Sequence, residues 1–465
     1  MLDSKFIQSF IALNNEEKRY FKKWILSDFV NKNNDIFRLH RFVETRRNIS
    51  QKTVSKEKLH EYLYPNLPFN DLRIRHLIWQ ANEMIEDFIV YYRIQQKKEQ
   101  RALLLAGFFS ERDLPKIANQ HIENGLLEME KTSVRNAAFF SYQYQFHTQY
   151  HQTNSKNNRN VDLKFQEIID TRAQYFILET LKYACIVHSI QKITNIQIQN
   201  PTLEHVVNMI EKGHFKNCIP IQIYYHIYLV TFYEDETAFD LFLKEMQKNS
   251  ALFSMQDLRD VYLLAINFCV KKSNQNIEKY TKLTFDIYIY AIENKFLLED
   301  NEISRFSFTN VVSLGIKLKQ LDKTTGFIKK YADLIATEYR QNTIDFNNAK
   351  LHYSKKEYEK ALKILLTNEF KDTIWNLNAK FILLKIYFET QNLNAFKIQL
   401  KAFKIYISRK STVGYHQEYF TNVVNSFKTL YRIYKNPKLY ADFTFDTKTP
   451  DADWFNNALQ SIKTT

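Results

Sequence analysis

Glycine and proline are scarce in this chain: six Gly and seven Pro in 465 residues, against the roughly 7 and 5 per cent usual in globular proteins. Sheets, barrels and doubly wound folds need tight turns, which Gly supplies through positive φ and Pro by presetting φ. So small a supply argues against them and leaves long helices joined by short Asn-, Lys- and Asp-rich connections. Cysteine is scarce too. Cys185, Cys218 and Cys269 are odd in number, widely spaced and set in apolar sequence. They form no readable disulfide framework or CxxC metal pair, which suits a reducing, cytoplasmic setting. Long apolar runs are missing: the most membrane-like stretch, Ile221 to Tyr233, contains His226 and is too short to span a bilayer. The first residues carry only a brief apolar run and an early Asp3, unlike a secretory leader. No membrane partner is expected.

Chemical signatures are missing as well. The sequence has no GxxxxGK[ST], GxGxxG or GxSxG, so neither a phosphate cradle nor a nucleophile elbow can be read. His147 and His151 stand one helical turn apart, a spacing that can hold zinc, but Thr148 stands where a metalloprotease has Glu and no third ligand is near. Cys185 and His188 share a helix face inside the apolar run Tyr183-Ala184-Cys185-Ile186-Val187, where a thiol packs rather than reacts. Glu234-Asp235-Glu236 reads as a solvated turn. The expectation is a protein that is not an enzyme and uses no cofactor or metal.

The chain is 45% hydrophobic and 25% charged, an ordinary folded composition with length for two to four domains. Its net charge of +14 divides as +5 over residues 1–100, −2 over 101–300 and +11 over 301–465. Basic surface attracts nucleic acid, acidic protein or anionic membrane. The joint richness in Lys, Asn, Ile, Phe and Tyr is equally what A/T-rich codons produce with no selection on charge.

Residues 1–100 read as an N-terminal helical domain. After a short helix over Ser4 to Leu13, Asn14 and Glu17 are spaced for a capping box, and Tyr20, Phe21, Trp24 and Ile25 form an apolar stripe. Ser55 caps a third helix through Leu59, Tyr62 and Leu63. Beyond the turn at Pro65 and Pro68, Asn70 or Asp71 opens a long helix to about Lys97, with Leu72, Ile74, Leu77, Ile78, Ala81, Met84, Ile85 and Phe88 on its buried face. Residues 101–219 form a helical middle region in which the polar run Thr153 to Asn160 is a surface loop.

From about residue 220 to 435 the pattern becomes periodic at 34–35 residues, the mark of stacked helix hairpins. The segment 347–361 carries a small residue at Ala349, an aromatic residue at Tyr358 and a second small residue at Ala361. Gly315, preceded by Leu314, lies 34 residues earlier, and Leu384 with Tyr387 lies 35 later. The chain here resembles a degenerate tetratricopeptide repeat (TPR-like), clearest over residues 300–408. The resemblance implies an all-α fold, an α-solenoid of antiparallel helix hairpins, and a protein-binding role. Phe327 and Phe396 stand at a position where the family has a small residue, so those hairpins are expected to splay. The tail 436–465 carries Trp454, Phe455 and Leu459, which dock a last short helix.

The same resemblance places Lys350 and Lys385, with Lys319, Tyr353 and Phe388, along a concave groove. Lysines beside rings suit an acidic protein or peptide partner, through charge-assisted hydrogen bonds and apolar burial. The alternative partner is nucleic acid. Arg73, Arg75 and His76 occupy the first turns of a helix after a Pro-bearing turn, where a reading helix would touch bases. Lys397, Lys401 and Lys404 share one helix face, with Arg409 and Lys410 beyond. Oligomeric state is not legible.

Overall fold

The computed structural model describes residues 1–46, 50, 53–155, 162–191, 194, 196–274, 278–370, 372–409, 416–436, 442–446 and 449–464. Among them the chain is all-α: twenty-two α-helices and one antiparallel ribbon, Leu298–Glu299 with Glu302–Ile303. No described helix is long and apolar enough to cross a membrane. Two compact units emerge, Met1–Glu179 and Thr180–Thr465, with the boundary inside the helix Phe165–Gln191. Most of the loop at 153–160 and Lys410 lie outside the described residues.

With little glycine, the helices stop on other residues. Asp113, Glu234, Lys295, Lys319, Lys356 and Gln391 each follow a helix end with φ between 54 and 64°. This left-handed backbone costs a non-Gly residue roughly 1 kcal/mol and returns it by satisfying orphan carbonyls at the helix terminus. After Lys319, Lys356 and Gln391 the same bond recurs: Gln320 N to Gly315 O, Glu357 N to His352 O and Asn392 N to Tyr387 O, each 2.9 Å. The ribbon, which the sequence did not announce, turns on Asp300 and Asn301 at φ 50 and 63°, the all-positive geometry that a two-residue hairpin loop demands.

In the first unit the expected local signals are in place. Asn14 and Glu17 make both bonds of the capping box at 2.9 Å. Ser55 and Asn70 accept from the amides of Lys58 and Arg73 at 3.3 and 3.0 Å. The long helix Asp71–Gln96 packs against Lys5–Ala12, Asn15–Ile25, Asn34–Glu44 and Lys56–Leu63. It buries Ile74, Leu77, Ile78, Ala81, Ile85 and Phe88. Leu72 is a correction: its first-turn position leaves it 78% exposed. Beyond this core, Lys98–Glu111, Pro115–Glu130 and Ala137–Asn154 pack on one another. Gly125 is needed there, because a Cβ would lie 2.2 Å from Cζ of Phe146.

In the second unit consecutive helices pair: Ile219–Tyr233 with Glu236–Asn249, Met255–Asn274 with Glu278–Glu293, Arg305–Lys317 with Leu321–Tyr331, Thr337–Ser354 with Tyr358–Thr367, and Thr373–Glu389 with Leu393–Arg409. Thr337–Ser354 also lies between Arg305–Lys317 and Thr373–Glu389. His416–Lys435 follows, and Ala452–Thr464 docks on it through fully buried Phe455 and nearly buried Leu459. Trp454 packs at the edge of the same cluster.

Counting seven residues back from each left-handed turn residue aligns Val312, Ala349 and Leu384. The first helix is therefore offset by three residues from an alignment that pairs Gly315 with Ala349. The small residue opposite Gly315 is the fully buried Thr324, not Phe327.

Two consequences can be measured. A Cβ at Gly315 would sit 2.1 Å from Oγ1 of Thr324 and 3.3 Å from a Phe285 ring carbon, so Gly315→Ala should lower stability by about 1–3 kcal/mol in urea unfolding, and Gly315→Ala with Thr324→Ala should recover part of it. In the first unit, His40 is 1% exposed and ringed by Phe10, Phe21 and Phe37 at 5.3, 5.7 and 6.5 Å. Burial pushes its pKa from 6.5 down to about 4, with Glu44 opposing and Lys22 assisting. The unfolded chain takes up a proton near pH 6.5 that the native state refuses, so this stability is complete above 6.5 and declines as pH falls toward 4. Between pH 7.5 and 5.5 the wild type should lose about 1 kcal/mol more than His40→Leu.

Candidate partner-binding cleft

Three helices, Arg305–Lys317, Thr337–Ser354 and Thr373–Glu389, line a cleft of about 460 Å³. The axial register of the first two is pinned by a buried amide. Asn347, fully buried, donates to Oγ1 of Thr309 at 3.0 Å and to the Thr343 carbonyl at 2.9 Å. One turn on, that register brings Ser313 beside Lys350, and Lys350 donates to the Ser313 hydroxyl. Ser313 in turn donates to the Thr309 carbonyl at 2.7 Å. Phe346, Trp375 and Phe381 give the cleft aromatic walls, with the Phe346 and Trp375 rings stacked at 5.2 Å and 6°.

Lys350, Tyr353 and Lys385 all line this cleft. Lys319 and Phe388 do not. Lys319 is exposed in the left-handed turn that ends its helix; the three-residue offset puts Ile316 in the cleft at the place corresponding to Tyr353. Phe388 is 2% exposed, covered by Phe396 at 5.8 Å and by Trp454 and Tyr434, each at 6.1 Å. The C-terminal helix has closed that end of the row.

The two lysines differ electrically. Lys385 is 8% exposed, ion-paired with Asp451 and 4.5 and 5.2 Å from the ring centroids of Phe381 and Trp454. Lys350 lies 5.5 Å from the Phe346 ring centroid and has no carboxylate partner among the described residues. Removal from water alone pushes its pKa down from 10.5 to about 8. At the far edge Glu389 accepts from Tyr353 and from the Trp454 indole, each at 2.6 Å, and from Tyr358. Burial, reinforced by Glu389, pushes the Tyr353 phenol up. Docking of Trp454 was expected from its sequence, but neither its indole bond to Glu389, 65 residues away, nor the pairing of Asp451 with Lys385, 66 residues away, was legible there. Trp375 and Phe381 carried a readable signal, apolar rings on the helix that also holds Lys385.

The basic residues considered for nucleic acid fall in two places. In the first unit Arg73, Arg75 and His76 are exposed while Ile74, Leu77 and Ile78 are buried. The Arg73 guanidinium lies 3.8 Å from the Tyr64 ring centroid, and His76 stands 5.8 Å from Trp79. Asp71 pairs with Arg75 at 2.7 Å and Lys56 at 2.9 Å, and the two cations hold its carboxyl below the usual carboxylate range. In the second unit Lys397, Lys401 and Lys404 are exposed on Leu393–Arg409, with Phe396 and Phe403 buried beneath. The side chain of Arg409 lies outside the described residues. No group of three or more His, Cys, Asp or Glu among the described residues could hold a metal ion.

Asp451→Asn should lower the urea midpoint of the second unit, because it leaves the Lys385 cation buried without its counter-charge. Lys350→Met should leave the midpoint level or raise it at pH 7, since it removes a desolvated cation that no carboxylate compensates. Equal losses in both variants would contradict this division of roles.

Comparison with protein-family models, with curated proteins and with solved structures found no match to this chain, and the functional reading therefore rests on its own geometry.

Proposed function

We propose that the second unit is a degenerate tetratricopeptide-like solenoid of helix hairpins that works as a non-catalytic scaffold in the cytoplasm, holding an acidic protein segment in the Lys350 cleft. The recurring left-handed turns after Lys319, Lys356 and Gln391 and the side-by-side packing of alternate helices support the architecture. One observation carries the function: Lys350 keeps an amine in an aromatic cleft with no carboxylate beside it, at the energetic expense that its lowered pKa records. An incoming carboxylate relieves that penalty, and the rings of Phe346, Trp375 and Phe381 bury the side chains that accompany it. Lys385, already neutralised by Asp451, contributes little net charge.

A second reading has its own observation. Lys397, Lys401 and Lys404 are exposed on a helix whose sequence contains no acidic residue, and a polyanion could lie along that face.

The two separate in one experiment. Tagged wild-type protein and the Lys350→Met variant are used to capture partners from native lysate at pH 7, with and without nuclease, and the column is then eluted by raising pH. A protein partner that survives nuclease, is lost from Lys350→Met, and is released progressively as pH is raised well above 8, the range in which the free cleft gives up the Lys350 charge, is the expected result. Partners that bind the variant equally, or vanish with nuclease and with salt, overturn the cleft and favour the lysine face.

A further inference from the structure

On the long helix Asp71–Gln96, Arg75, Trp79 and Glu83 follow one another at four-residue intervals and form one ridge, with Ile78, Asn82 and Glu86 as the next ridge beside it. Both ridges line a groove of about 360 Å³, together with Lys5 and Lys56. Ile78 and Asn82 are buried there, while Trp79 at the middle of its ridge is 57% exposed. An aromatic anchor in a charged frame has the composition of a contact surface. The charges of that frame are balanced and divided. Arg75 stands one turn before Trp79, and Asp71 holds it at 2.7 Å while also holding Lys56 at 2.9 Å, so one carboxylate serves two cations. Glu83 stands one turn after Trp79, and neither it nor Glu86 pairs with a cation among the described residues, in a chain of net charge +14. Lys5, Lys56 and Arg75 together balance Asp71, Glu83 and Glu86. The face therefore lacks the excess charge that a polyanion or an acidic segment requires, and it does not repel its own copy.

We propose that a second copy of this chain packs on this face, the two long helices crossing antiparallel about a two-fold axis at Trp79. Ridges of four-residue spacing that enter each other's grooves set two helices at about 50°. With the axis at Trp79, position 75 of one helix meets position 83 of the other, and symmetry makes that contact twice. Arg75 of each copy then faces Glu83 of the other, and each Trp79 enters the groove of the opposite copy. Arg75 serves Asp71 and the incoming carboxylate together, because a guanidinium carries five N–H donors. A parallel pairing would instead set Arg75 against Arg75 and Glu83 against Glu83, which like charges oppose. A contact confined to one helix and its groove falls at the small end of protein interfaces, below about 1,200 Å², so association is expected in the micromolar range. The inference concerns the first unit and does not depend on what the Lys350 cleft holds.

Full-length protein is followed by sedimentation velocity from about 1 to 500 µM. The expected result is a monomer–dimer equilibrium that Trp79→Ala weakens roughly tenfold or more, while its circular dichroism melt stays close to that of the wild type because the ring is exposed. Arg75→Glu and Glu83→Arg should each abolish the dimer when alone, since the exchanged position meets a like charge at both contacts. Mixed in equal amounts, the two variants should associate again, because every exchanged position then meets its opposite. That rescue belongs to a two-fold pairing of position 75 with position 83, and a variant that had merely lost its fold would not show it. A chain that stays monomeric over the whole range overturns the proposal. So does a dimer indifferent to Trp79→Ala, or a mixture of the charge variants that associates no better than either alone.

Discussion

A buried side-chain amide between two packed helices fixes how far one can slide along the other, because any shift strands its N–H donors away from water. Asn347 holds that position, bonded to Thr309 across the helix interface. The cleft depends on it. Four residues beyond Thr309 stands Ser313, and three beyond Asn347 stands Lys350. The bond between those two is the nearest thing Lys350 has to a counter-ion. Shift the register by one turn and Lys350 would face Ile316 or Thr309 instead, with no partner to orient its amine.

The left-handed turns set the second boundary. Each of Lys319, Lys356 and Gln391 ends a helix at the same point relative to the cleft, and each does so without glycine. A chain short of glycine accepts roughly 1 kcal/mol of backbone strain at such places, which the returning backbone bonds offset. The first helix reaches its turn three residues earlier than a fixed repeat length allows. That offset sends Lys319 to the turn and Ile316 to the cleft, and puts Thr324 rather than Phe327 against Gly315.

The C-terminal segment shows which forces dominate. A fully buried Phe contributes about 2–3 kcal/mol, and Phe455 is fully buried with Leu459 beside it. The ion pair of Asp451 with Lys385 is partly solvated on its acidic side and is worth less than that apolar burial. The rings therefore dock the segment, and the carboxylate is carried to Lys385 as a result. Once there it settles the charge of that lysine and leaves Lys350 as the different one.

Sequence by itself determined the helical class, many helix ends and the hidden faces. Scarce glycine and proline, the pairing of Asn14 with Glu17, the caps at Ser55 and Asn70 and the apolar stripe from Ile74 to Phe88 are local, and local physics settles them within a few residues. It also marked Lys350, Tyr353 and Lys385, because side chains on neighbouring helices at a near-constant interval fall on one side of a stack. What only the tertiary structure decided is the state of those residues. Lys319 missed the cleft because a turn moved, and Phe388 is covered because a segment from the far end of the chain lies over it. Lys385 is paired and Lys350 is not because Asp451 arrives from 66 residues away. A charge is defined by what surrounds it in space, and no periodicity along a chain reports that.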